Sequence, residues 1–355
     1  MHKPAYHGRL LLLCKTVRNQ IGNEQQAISN WQSVMSNWQW TMNNIQTIIT
    51  APATPKSKPQ NFTLALDSAI QPVTLAFAAD TQAPMFVETL WLRSHNNRKA
   101  TQLLFEDVVQ RTPSAFFLLG DVVNLGYAER QWKPIDKYLK ALEAIKLPVH
   151  AILGNHEVMG RPREGIRKFQ QRFPDHKHTG YGVIKDSIAV VLVNSNFSSL
   201  TSSEAEQQAT WYKTTLESLD ADETIQFIIT GCHHSPYTNS RIVRPSKEVE
   251  QIFVPPFLLS KKSVLFLSGH SHNFEHYKVE GKDFLVIGGG GGLRQPLRQG
   301  LGTLADLAPD YKPLFHYTTV SIAGNTLLVT SYHIKKDFTG FEEGLKLQVK
   351  KHFGE

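Results

Sequence analysis

A chain of 355 residues, 41% apolar and 19% charged, is long enough to bury a large core and is excluded by its composition from the disordered and fibrous classes. Its net charge of +7 is spread along the chain, so it reads as solvated surface charge and no nucleic-acid partner is expected. Two cysteines, Cys14 and Cys232, exclude a disulfide framework.

Near the N-terminus, the apolar string Leu10-Leu11-Leu12-Leu13 is shorter than the core of a signal peptide. No run approaches the roughly 20 apolar residues of a membrane span. The expectation is a soluble, cytoplasmic protein. Ile28, Trp31, Met35, Trp38, Met42, Ile45 and Ile49 then recur at spacings of three and four, which puts all seven on one stripe of a helix. Between Glu24 and Lys56 no side chain is charged, so this helix lacks the Glu and Lys that flank a coiled-coil seam. It reads as packed on its own domain, ahead of self-association, with a membrane-surface or partner contact third. Pro52, Pro55 and Pro59 favour an extended linker after it. The expected division is an N-terminal amphipathic helix and Pro-rich linker over 1–60 and a globular domain over 61–355.

From residue 72 onward short apolar runs rich in β-branched and aromatic residues occur at 73–78, 115–119, 149–153, 188–193, 225–230, 264–267 and 284–287. Helical periodicity lies between them, as at 101–111 and 132–145. Strands apolar on both faces that alternate with helices predict an α/β fold with covered sheets. The ligand site of such a fold lies off the carboxyl ends of its strands.

Five turns sit there. They are Ala79-Asp80-Thr81-Gln82, Gly120-Asp121-Val122-Val123-Asn124, Gly154-Asn155-His156-Glu157, Gly231-Cys232-His233-His234-Ser235-Pro236-Tyr237, and Ser268-Gly269-His270-Ser271-His272. Any one alone is ordinary turn or helix-cap chemistry. Five in series, each after a strand, point to metal binding, and Gly-His-Ser-His is the most specific because alternate residues aim two imidazoles at one point. Cys232 reads as a small buried residue. Carboxylates, amides and imidazoles without a thiolate cluster suit two hard-to-borderline divalent ions, and exclude a structural zinc knuckle. Two such ions can clamp an in-line displacement and acidify a shared water, which is what phosphoester hydrolysis needs.

This motif series, Asp-x-Gln, Gly-Asp, Gly-Asn-His-Glu, a His-rich turn and Gly-His-x-His, resembles the calcineurin-like metallophosphoesterase superfamily over roughly residues 72–335, closest in kind to its purple acid phosphatase-like branch. The resemblance implies a four-layer α/β/β/α sandwich of two mixed sheets flanked by helices. It implies that two divalent ions, manganese, iron or zinc, are held by Asp80, Gln82 and His272 and by Asn155, His270 and His233, with His234 as the alternative register and Asp121 bridging. His156 and Asp121 would be catalytic, with His156 protonating the leaving oxygen while a metal-bridging hydroxide attacks a small phosphorylated substrate, a phosphomonoester or phosphodiester.

Two positions depart from the family pattern. Gln82 stands where many members have His, as in some pyrophosphatases of nucleoside-diphosphate-linked, ADP-ribose-like compounds, which makes that activity an alternative. Asn124 stands where purple acid phosphatases have Tyr and Ser/Thr protein phosphatases have Asp, so His156 is expected to lack an orienting carboxylate. Gly288 to Gly292 follow a strand at the distance of the family's glycine-rich site wall. Arg163, Arg294 and Asn196, with Arg161, Arg298 and Asn194, are candidate substrate contacts. A non-catalytic scaffold that binds a partner through the Trp31/Trp38 helix is the reading from a different class.

Overall fold

A computed structural model describes residues 62–64 and 73–350, all within the unit that runs from Ser57 to Glu355. The helix and the linker expected over 1–60 lie outside the described residues. The strands in chain order are β1 (Phe62–Leu64), β2 (Thr74–Ala78), β3 (Ala115–Leu119), β4 (Val149–Ile152), β5 (Tyr181–Lys185), β6 (Ile188–Leu192), β7 (Phe227–Gly231), β8 (Ser263–Ser268), β9 (Phe274–Val279), β10 (Lys282–Ile287), β11 (His316–Ala323), β12 (Thr326–Ile334) and β13 (Phe341–Lys350). The helices are α1 (Asn97–Arg111), α2 (Glu129–Ala144), α3 (Asn155–Val158), α4 (Pro162–Arg172), α5 (Ser202–Ala221), α6 (Lys247–Ile252) and α7 (Val254–Leu259).

The strands form two mixed sheets. One has seven strands in the order β1-β5-β6-β7-β8-β10-β9, the other six in the order β13-β12-β11-β2-β3-β4. Strands β2, β3 and β4 run parallel, as do β6, β7 and β8, so their carboxyl ends collect at one edge of each sheet.

The layering follows from the two-residue period of a strand. Leu75 and Phe77 of β2 with Phe117 and Leu119 of β3 point inward and join the apolar side chains of β6, β7 and β8 in one core. Phe77 stacks on Phe117 at 4.8 Å. The alternate positions Ala76, Ala78, Phe116 and Leu118 point outward and meet Leu104, Phe105 and Val108 of α1 and Trp132 and Ile135 of α2. On the other sheet Tyr212, Leu216 and Leu219 of α5 join the first core. Each buried Leu, Ile, Val or Phe among them contributes about 1.5–3 kcal/mol by leaving water. The result is the expected helix, sheet, sheet, helix sandwich.

The seven predicted runs match β2, β3, β4, β6, β7, β8 and β10 within two residues at either end. The strands outside those runs, such as β5, β9 and β11 to β13, interleave polar with apolar residues. Strand β9, Phe-Glu-His-Tyr-Lys-Val, satisfies its buried Glu275 through Thr238 Oγ1 and Tyr277 Oη at 2.7 and 2.6 Å, and so carries charge where an apolar run is absent.

Candidate metal centre

The parallel core strands deliver the five turns to one place. β2, β3 and β4 end in Asp80 to Gln82, Asp121 and Asn155; β7 and β8 end in His233, His234, His270 and His272. Backbone hydrogen bonds lock neighbouring turns, from Asp80 N to the Gly120 carbonyl and from Gln82 N to the Asp121 carbonyl, both at 3.0 Å. On the other sheet Gly269 N donates to the His233 carbonyl at 2.9 Å. Between the sheets, His270 N donates to Asp80 Oδ2 at 2.9 Å and the His233 Nδ1–H points at the Leu119 carbonyl 3.0 Å away.

Three of these residues are in the left-handed region: Asp80 at φ 60°, Asp121 at φ 52° and His270 at φ 67°. A non-glycine residue there costs about 1–3 kcal/mol and persists only where its surroundings over-determine it. The glycine of Gly-Asn-His-Glu is demanded by proximity, since a Cβ on Gly154 would fall on the Asp121 carboxylate.

The ligand-type atoms converge in two overlapping groups. Those of Asp80, Asp121 and His233 lie within 4.8 Å of one another, and so do those of His233, His234 and His270. His272 Nε2 is 3.4 Å from Asp80 Oδ1, and His233 Nε2 is 3.3 Å from Asp121 Oδ2 and 3.0 Å from Asn155 Oδ1. The Gln82 amide nitrogen faces the carbonyls of Asp121 and Asp80 at 2.9 and 3.1 Å, which turns its oxygen toward His272 Nε2, 3.4 Å away. Asp80 Oδ1 is buried and accepts no hydrogen bond. An orphaned carboxylate oxygen, ringed by imidazoles and a second buried carboxylate, fits a divalent cation. Asn155, His234 and His270 are half-buried, and they form the open side of the cluster.

Charge and burial divide the imidazoles. Burial works against the Asp121 carboxylate, but His233 and His156 outweigh it and hold its carboxyl well below the usual range. Burial also opposes a charged His233, yet Asp121 carries it up to about 9. Desolvation and the neighbouring His233 push His234 down to about 3, and desolvation with His234 and His233 lowers His270. At neutral pH His234 and His270 therefore present neutral imidazoles, the form that binds metal.

His156 is held differently. Its backbone N donates to Asp121 Oδ1 at 2.8 Å, and its ring Nδ1 lies 3.0 Å from the Asn124 carbonyl. That carbonyl makes Nδ1 the donor and leaves Nε2 facing the cluster, 3.8 Å from Asp121 Oδ2. The expected loss of an orienting carboxylate is thus met by the main chain of the same residue, Asn124.

Sequence reasoning passed over Glu157. Its fully buried carboxylate accepts from Asp121 N (2.9 Å), Val123 N (3.0 Å) and Gly154 N (2.7 Å), so one side chain ties the second turn to the third. The available signal was an acid three residues after the glycine that precedes a short helix, half of a capping box. Ser195 Oγ, 2.9 Å from His234 Nδ1, carried no signal of this kind.

The glycine run Gly288 to Gly292 lies against the first group: Gly290 N donates to the Ala79 carbonyl and Gly292 N to the Asp80 carbonyl, at 2.9 and 2.8 Å, and a Cβ on Gly292 would sit 2.5 Å from the His272 ring. Arg161, Arg163, Arg294 and Arg298 are exposed, and Arg161 leans on Glu164 at 3.6 Å. Asn194 and Asn196 spend their amide groups on the carbonyls of His178 (3.0 Å) and Leu153 (2.8 Å), so Asn196 buttresses the third turn from behind. Cys232 is buried, its thiol is pushed up by burial and donates to the His234 carbonyl, so it offers no thiolate.

A two-sheet sandwich with such a cluster at its strand ends is the architecture of a metallophosphoesterase. A family model described as calcineurin-like phosphoesterase matches residues 73–274, more than half of the chain, and the protein belongs to that family. Among solved structures, GAP50, the anchor in the inner membrane complex of Plasmodium, superposes with a TM-score of 0.59 over 79% of this chain and 89% of its own. A purple acid phosphatase from yellow lupin seeds does so with 0.58 over 80% of this chain and 54% of its own, and a dimetal phosphatase from Danio rerio with 0.50 over 79% and 100%. Identity is 14% in each case, so these likenesses concern the fold. No curated protein sequence matches the chain. Among the described residues no helix is long and apolar enough to cross a membrane.

Proposed function

We propose that the protein is a dinuclear metal-dependent phosphoesterase that hydrolyses a small phosphomonoester or phosphodiester. The observation that carries this reading is Asp121, buried in one group of ligand atoms with Asp80 and His233, its Oδ2 3.3 Å from the His233 Nε2 that the second group shares, while its Oδ1 fixes His156. Asp80, Gln82 and His272 would hold one ion, Asn155, His270 and His233 the other, and Asp121 both; manganese, iron and zinc all accept such ligands. When bound, the two cations supply an acidified water and neutralise phosphoryl charge.

The protein's own residues do the rest. His156, with Nδ1 anchored on the Asn124 carbonyl, presents Nε2 to hold a proton for the leaving oxygen. A groove of about 780 Å³ opens beside Thr81 and Asn124, with Ile135 and Tyr138 in its wall, next to the second turn but lined by none of the ligand residues. Arg98, Lys99 and Arg130 line it and no carboxylate does, which suits a substrate that is anionic overall.

The test is turnover of an aryl phosphate by metal-stripped protein refilled with manganese. His156→Ala is expected to cut turnover about 10²–10⁴-fold with its metal content unchanged; full activity in that variant overturns the assignment. Absence of both metal and turnover in the parent would favour a scaffold. Gln82, standing where many members of the family have His, supports a second reading, cleavage of the pyrophosphate bond in ADP-ribose-like compounds, which the same preparation decides by rate comparison.

A further inference from the structure

Two apolar loops rise from the chain directly after metal-turn residues. The first follows the Asp80 turn, and in it Phe86 (79% exposed), Val87, Leu90 and Trp91 (87% exposed) stand in solvent. Its one acid is turned back on its own backbone, with Met85 N donating to Glu88 Oε2 at 2.6 Å. The second follows the glycine run and carries a wholly exposed Leu301 with Leu304 and Leu307, and Ile242 stands out beside it, where Arg241 N donates to the Pro296 carbonyl at 2.8 Å. Asn97 Nδ2 donates to the carbonyls of Gly291 (2.7 Å) and Gly292 (3.0 Å), which ties the roots of the two loops together. Between and around the apolar side chains stand Arg93, Arg98, Lys99, Arg294 and Arg298, all exposed. Among the described residues none of the five has a carboxylate partner, whereas the second loop's Asp306 is taken by Lys312 at 2.7 Å.

Large apolar side chains grouped on a surface mark an interaction face. Charge decides among the occupants. A second copy of the chain would bring the same free cations against these and repel them. The chain's own stripe over residues 28–49 carries no charge and would leave five cations unanswered. An anionic bilayer answers both features: aromatic and aliphatic side chains enter the boundary of headgroups and acyl chains, and the cations meet lipid phosphates. We propose that these two loops dock the protein on an anionic lipid surface, with the metal turns set close to the headgroups.

The test is co-sedimentation of the full chain with vesicles of phosphatidylcholine alone or mixed with phosphatidylglycerol, which reads binding without turnover and so stands or falls separately from the phosphoesterase reading. Expected are binding to the mixed vesicles, little to the neutral ones, and release by high salt. Leu90→Ser with Trp91→Ser, and separately Arg93→Gln, are expected to weaken binding, the latter roughly fivefold, while aryl phosphate turnover stays as in the parent. Trp91→Phe should remove the blue shift of fluorescence on binding. Equal binding to both vesicle types, no binding, or a Leu90→Ser/Trp91→Ser variant that binds as the parent does would each overturn the proposal. So would a self-association abolished by that variant in protein that ignores vesicles.

Discussion

The two sheets contribute chemically different halves of the centre. The six-stranded sheet brings the oxygen donors, Asp80, Gln82, Asp121 and Asn155, on turns whose backbone is strained at Asp80 and Asp121 and held from behind by Glu157. The seven-stranded sheet brings the imidazoles, His233, His234, His270 and His272, on turns oriented by carbonyls such as that of Leu119. Neither half alone is a site. A carboxylate cluster would repel itself and an imidazole cluster would bring no negative charge to a cation; facing each other, each supplies what the other lacks, and a cation between them would link the sheets as well as the chemistry.

Asp121 belongs to both halves, so its loss is the hardest test of this division. Asp121→Asn keeps the shape, including an oxygen for His156 N, and removes the charge. Turnover is expected to fall about 10³-fold and the metal content to drop, measured by aryl phosphate hydrolysis and elemental analysis. A variant that keeps its metal and its rate would show the halves to be independent. Next in size comes the imidazole half. His233 touches the oxygen half directly, at 3.3 Å from Asp121 and 3.0 Å from Asn155, whereas His234 is held by Ser195. His233→Ala should therefore lose metal, and His234→Ala should lose about 10–100-fold in affinity, as for an orienting neighbour. The reverse order would make His234 the ligand.

Much of this was legible because the parallel strands are buried on both faces and so read as apolar runs that stop where a ligand begins. The five turns announced themselves for that reason. Strands β11 to β13, Tyr181–Lys185 and β9 did not, because they mix polar with apolar residues, as in the run of burial along β13, exposed at Glu342, Glu343 and Lys350. Within the site, residue types were legible and orientations were not. Nothing in the string Gly-Asp-Val-Val-Asn says that the Asn124 carbonyl, and not its side chain, faces His156. Asn196 reads as polar and available, yet its amide is spent on the Leu153 carbonyl.

The back of the oxygen half is probed by Glu157→Gln. The carboxylate accepts three main-chain N–H groups, and a glutamine would oppose one of them with an NH₂. Loss of a charge-assisted, buried hydrogen bond costs about 1.5–3 kcal/mol, which should appear in the urea midpoint, with a loss of about tenfold in metal affinity as the Asp121 turn loosens. If stability falls and metal affinity does not, Glu157 holds the fold and not the centre.

The smallest expected effect separates side chain from main chain at Asn124. Its Oδ1 is buried without a partner, while its carbonyl holds His156 Nδ1. Asn124→Ala removes an unsatisfied polar group and keeps the carbonyl, so turnover should change by no more than about twofold and stability should hold or rise slightly. Asn124→Asp adds a carboxylate beside an imidazole whose Nδ1–H is already engaged, so it should gain little. A drop in Asn124→Ala comparable to that of His156→Ala would mean that the amide, and not the carbonyl, sets the histidine, and the oxygen half would then orient the acid through a side chain after all.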